Sequence, residues 1–169
     1  MRLAAAVAHA KSPDVRAAVH ALYADLSQLI AARKPRCDAS GRCCHFDAYG
    51  HRLYVTTAEL ATFVSDLDSL PPSPSPSSPT SLPVLASSTP ASPDCPFLAS
   101  NLCSVHTIRP FGCQIYFCDP TATSWMQDTY AAFHGRLREL HDRHGLEYHY
   151  VEWRTALAQL GKDVLRRGI

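Results

Sequence analysis

Cys37-Asp38-Ala39-Ser40-Gly41-Arg42-Cys43-Cys44-His45 opens a pattern that resumes much later in the chain. There it reads Cys95-Pro96-Phe97-Leu98, Cys103-Ser104-Val105-His106, Arg109-Pro110-Phe111-Gly112-Cys113 and Cys118. These two stretches hold all 7 cysteines of the 169 residues, and both lie between the segments whose apolar periodicity predicts helices. Core cysteines that serve only as small hydrophobes should fall on helix and strand faces instead. Cysteines gathered in Gly- and Pro-containing loops point to convergence on one centre, because a soft metal ion or an iron-sulfur cluster needs several thiolates as ligands and as neutralising charge. Gly41 and Gly112, each within two residues of a cysteine, let the backbone turn tightly and aim N–H groups at sulfur.

The segments around these loops read as helix and short strand. Ser12-Pro13-Asp14 supplies a cap, a first-turn proline and a first-turn acid ahead of Val15, Val19, Leu22, Leu26, Leu29 and Ile30. This predicts a helix over 13–33, stopped by Pro35. Arg2 to Ala10 reads as a frayed lead-in to that helix, with an apolar stretch too short for a secretory signal. Leu53 and Val55 predict a short strand, and Thr56 with Glu59 a capping box before a second, shorter helix. Ser124 with Gln127 has the same spacing, ahead of a helix to about His144 that Gly145 ends. Leu146, Tyr148 and Tyr150 alternate as a strand, and Trp153, Leu157, Leu160 and Val164 give a last amphipathic helix. The fold class expected is α+β, mostly α: one small cysteine-cluster domain over 1–169, with two metal-binding loops packed by helices and short strands. The stretch 71–93, almost all Pro, Ser, Thr, Ala and Leu and without charge, reads as a flexible insert that cannot offset its ordering entropy by burial.

Lys+Arg 16 against Asp+Glu 15 leaves no charge excess for a nucleic-acid backbone or an anionic membrane. No apolar run approaches the roughly 18 residues of a spanning helix. A cytoplasmic location is therefore expected, where thiols stay reduced; the odd cysteine count also argues against a disulfide framework.

The spacings fit no standard zinc finger, since no C-x2-C pair occurs, nor the C-x3-C-x2-C of radical S-adenosylmethionine chemistry. In an extended chain Cys43 and Cys44 would point to opposite faces, poorly placed to share one ion. Seven thiolates exceed one four-coordinate site and fall one short of two, so His45 or His106 is a candidate additional ligand. His134, His141 and His144 lack zincin spacing and read as surface residues. Phe46, Phe97, Phe111 and Phe117 sit near the cysteines as a candidate hydrophobic shell, and Arg109 as a brace for its loop, binding a backbone carbonyl, Asp47, Asp119 or the thiolates.

In order and spacing, the Cys37-x2-Ser40-Gly41-x-Cys43-Cys44 run, Cys95-Pro96-x-Leu98, Cys103-x-Val105-His106 and Arg109-Pro110-x-x-Cys113 resemble the YkgJ-like cysteine-cluster family, a zinc- or iron-chelating domain. Ser40 stands where that family often carries a further cysteine. The resemblance implies metal binding at Cys37, Cys43, Cys44, Cys95, Cys103 and Cys113, with Cys118 added by proximity. It implies zinc or iron, the latter as an iron-sulfur cluster, and a related region occurs in flagellin lysine methylases. The leading function is metal binding. The alternatives are a redox or transferase enzyme acting on a protein partner, and a structural zinc module for protein contacts.

Overall fold

The computed structural model describes residues 2–70 and 94–161, so the proline-serine insert and Val164 lie outside the described residues. The chain is mostly helical with a few short strands. Its elements are α1 (Arg2–Ala10), α2 (Pro13–Arg33), β1 (Tyr54–Thr56), α3 (Thr57–Leu67), β2 (Leu98–Ala99), β3 (Leu102–Cys103), α4 (Phe111–Gln114), α5 (Thr123–Arg143), β4 (Tyr150–Glu152) and α6 (Trp153–Leu160). None of the described helices is long and apolar enough to cross a membrane.

Helix α2 has the bounds its sequence predicts. The Ser12 hydroxyl accepts from the Val15 N–H, Pro13 occupies the first turn, and Lys34 closes the end in a left-handed conformation ahead of Pro35. Arg2 to Ala10 is not a frayed lead-in: it is a separate helix that buries Leu3, Val7 and Ala10 against α3 and α6. Those side chains share one face at helical spacing, so packing stabilises a segment too short to be helical alone.

Two of the four short-strand and cap readings shift. The second strand, expected over Leu146 to Tyr150, forms instead at Tyr150–Glu152, because that stretch is what pairs antiparallel with Tyr54–Thr56. Helix α5 starts at Thr123, before the Ser124 capping box, because a 3-10 turn at Pro120–Ala122 leads into it, with Asp119 accepting from the Thr121 N–H. Its end follows the sequence: Gly145 is left-handed, and the Leu146 N–H returns to the His141 carbonyl at 2.9 Å.

The Thr56–Glu59 capping box forms as expected, and Glu59 does more than cap. Its fully buried carboxylate accepts from the Thr56 N–H (2.9 Å) and hydroxyl (3.0 Å), from the Tyr23 hydroxyl of α2 (3.2 Å) and from the Phe111 N–H of α4 (3.2 Å). Burial pushes this carboxyl up to about 7, against donors that favour its ionised form.

His141, expected at the surface, is buried. Its Nδ1–H donates to the Leu137 carbonyl (2.7 Å) and its Nε2 accepts from the Ala58 N–H (3.2 Å), so a side chain of α5 caps the first turn of α3. The bond from Ala58 requires the neutral ring, because a protonated Nε2 cannot accept.

Two outcomes follow for stability. Glu59→Gln places an amide N–H2 among four donors and should cost about 2–4 kcal/mol in a urea titration. Burial lowers the pKa of His141 from 6.5. The unfolded chain therefore binds this proton more readily, and the stability His141 contributes is complete above about pH 6.5 and lost as pH falls. The fall in Tm between about pH 7.5 and pH 5.5 should be smaller in His141→Gln than in the wild type. An equal fall would remove His141 as its source.

Candidate metal centre

The first cysteine stretch folds because Gly41 is left-handed, with φ of 71°. A Cβ there would lie 2.9 Å from the Asn101 carbonyl oxygen, so only glycine allows this loop to press on the β2–β3 hairpin. Beyond it, Arg42–Cys44 form a 3-10 turn. That turn overturns the extended-chain reading of the vicinal pair. Cys43 Sγ and Cys44 Sγ lie 4.0 Å apart on the same side, close to the roughly 3.8 Å edge of a tetrahedral site with bonds of about 2.3 Å to sulfur.

The second stretch reaches the same place through a hairpin. Leu98–Ala99 pairs with Leu102–Cys103, and Ser100 and Asn101 at its tip both have positive φ, the mark of a two-residue type I′ turn. The turn carries Cys95 and Cys103 together. The Cys95 N–H donates to the Cys44 carbonyl at 2.7 Å, tying the two cysteine stretches by their main chains. Cys113 arrives on α4, whose first N–H is held by Glu59.

Cys43, Cys44, Cys95, Cys103 and Cys113 thus line one small cavity with Phe97, Val105, Arg109, Pro110 and Trp153, enclosing about 10 Å³ of free space. Cys44 sits at the middle of the thiols. Its S–H serves Cys103, Cys43 and Cys95, which raises its own pKa. The acceptors move the other way: the Cys44 S–H brings Cys43 down to about 6 and Cys103 to about 7, and lowers Cys95, with Arg109 helping at Cys43 and Cys103. Burial, then the charges of Cys95, Cys103 and Cys43, pushes Cys113 up. One S–H cannot donate to three sulfurs at once, so these thiols compete for the same donor.

Trp153, which its periodicity marks only as helix core, is part of this site. Its indole Nε1 is buried with no hydrogen-bond partner of normal geometry among the described residues, yet it lies where it lowers the Cys95 pKa. No local signal in the sequence distinguishes it from any other core tryptophan.

The remaining candidates lie elsewhere. Cys37 is exposed, and neither it nor Cys118 lines the cavity. Cys118 Sγ instead meets the Ser40 hydroxyl at 3.7 Å. His45 engages Asp94 (3.1 Å) and Asn101 (3.2 Å) through its two ring nitrogens, and His106 is exposed and outside the lining. Of the four phenylalanines, Phe97 lines the cavity; Phe46 and Phe111 are buried in the cores around it. Among the described residues, no group of three or more His, Cys, Asp or Glu side chains stands ready-set as a metal site. The thiols are gathered but packed on one another.

In comparisons with known proteins, no family model matches the chain, and neither a curated protein nor a solved structure matches it.

The burial pattern predicts an order of thiol reactivity in metal-free protein. N-ethylmaleimide should modify Cys37 first and Cys44 and Cys95 last, as read by peptide mass spectrometry. Early modification of Cys44 in folded protein would contradict the packing described.

Proposed function

We propose that the five-thiol group is a metal-chelating centre, holding iron as an iron-sulfur cluster or zinc. The primary ligands are Cys43, Cys44, Cys95 and Cys103, with Cys113 beside them. The observation that carries this reading is the gathering of five cysteines from three separate segments at one small cavity. Thiols so placed resist ionising together, since each thiolate raises the cost of the next. A soft cation displaces the protons of the thiols that bind it and neutralises several thiolates at once, which is the chemistry for which such donors are suited.

The surroundings support the same reading. Arg109 and the unpartnered Trp153 N–H both stabilise charge on sulfur, and Phe97 and Val105 shield the site from water. The ordered motifs that resemble the YkgJ-like family contribute Cys43, Cys44, Cys95, Cys103 and Cys113 to this group. In this reading Cys37 and Cys118 lie outside the primary centre. The free space suits a single ion; an iron-sulfur cluster requires the sulfurs to spread. Bound zinc would lock the two stretches together, and a cluster would add electron transfer.

The experiment is anaerobic purification with elemental analysis and an absorption spectrum, brown for iron-sulfur and colourless for zinc. Singly substituting serine at Cys43, Cys44, Cys95 and Cys103 should lower metal per folded chain more than about tenfold, while Cys37→Ser and Cys118→Ser stay within about twofold. Equal, small losses at all seven positions would sink the centre.

A further inference from the structure

Beside the thiol group, on the other side of Cys43 and Cys113, a separate cleft of about 460 Å³ opens to solvent, a size typical of small-molecule sites (roughly 300–1,000 Å³). Its lining is mostly apolar and rich in tyrosine faces: Tyr54 stacks on Tyr150 at 5.1 Å, Tyr116 stacks on His51 at 4.6 Å, and Tyr130 bonds to Tyr150 through their hydroxyls. Flat aromatic walls of this kind favour an aromatic ring by offset stacking.

Of the Arg, Lys, Asp and Glu side chains described, Arg52 alone lines the cleft. It is exposed and has no carboxylate partner among the described residues. His51 donates from Nε2 to the Cys43 carbonyl at 3.3 Å, so its buried Nδ1 is an acceptor and the anion contact falls to Arg52.

We propose that this cleft is a binding site for a small aromatic carboxylate, its ring between the tyrosines and its anionic group on Arg52. Binding rests on the cleft and its charge alone and does not depend on the metal reading. Under that reading, the shared wall of Cys43 and Cys113 sets the ligand next to the centre.

The test uses the full chain as purified, with 1-naphthoate as the anionic probe, 1-naphthalenemethanol as its neutral match and 1-naphthylmethylamine as its cationic one. Affinities come from calorimetry and locations from amide NMR shifts. Naphthoate should bind about tenfold more tightly than either match, the discrimination expected of one charge-assisted contact. Arg52→Gln should erase that preference while leaving ring binding. Gln127→Trp, an exposed position on the rim, should weaken all three probes. Shifts should gather at His51, Gly112 and Tyr116. Equal or tighter binding of the alcohol or amine overturns the proposal, as does a preference that survives Arg52→Gln, shifts centred elsewhere, or no binding of naphthoate at millimolar concentration. Metal content unchanged in the cysteine variants, with naphthoate binding retained, would sink the metal centre and leave the cleft standing.

Discussion

A single buried carboxylate ties the helical frame to the cysteine segments. Glu59 takes donors from its own cap at Thr56, from Tyr23 on α2 and from Phe111 at the start of α4. A carboxylate inside a protein is costly unless its oxygens are satisfied, so the three segments must stay where those oxygens can reach them. The last of these segments carries Cys113. The position of the second cysteine stretch is therefore linked, through one side chain, to the packing of α2 on α3.

The thiol group is held by the same logic applied to the main chain. Gly41 lets its loop close on the Asn101 carbonyl, and the Cys95 N–H bonds to the Cys44 carbonyl. These contacts bring together cysteines that the sequence separates by the whole of β1, α3 and the insert. Around the sulfurs, Arg109 supplies positive charge, and Trp153 supplies both an apolar wall and an N–H. The frame positions the donors.

Much of this frame was legible along the chain. Caps and stops are local: a hydroxyl three residues before an N–H, a proline in the first turn or a left-handed glycine after the last turn works through neighbours in sequence. Hence α2, the Thr56 box and the end of α5 fall where they were read. The misses share a cause. The helix at Arg2–Ala10 depends on partners in α3 and α6, the displaced strand on pairing with Tyr54–Thr56, and the burial of His141 on the open N–H of Ala58. Each was decided by a contact across the fold.

The same division runs through the candidate site. Residue chemistry and motif order were enough to mark the cysteine stretches as the place to look, because soft donors clustered in loops have few other uses. Which thiols meet was a tertiary matter. The 3-10 turn turned Cys43 and Cys44 to one side, the hairpin delivered Cys95 and Cys103, and neither Cys37 nor Cys118 joined the cavity lining. Trp153 and the tyrosine cleft were invisible for the same reason. An aromatic at helical spacing looks alike whether it faces plain core, a sulfur or an open cavity, and only the surfaces brought opposite it make the difference.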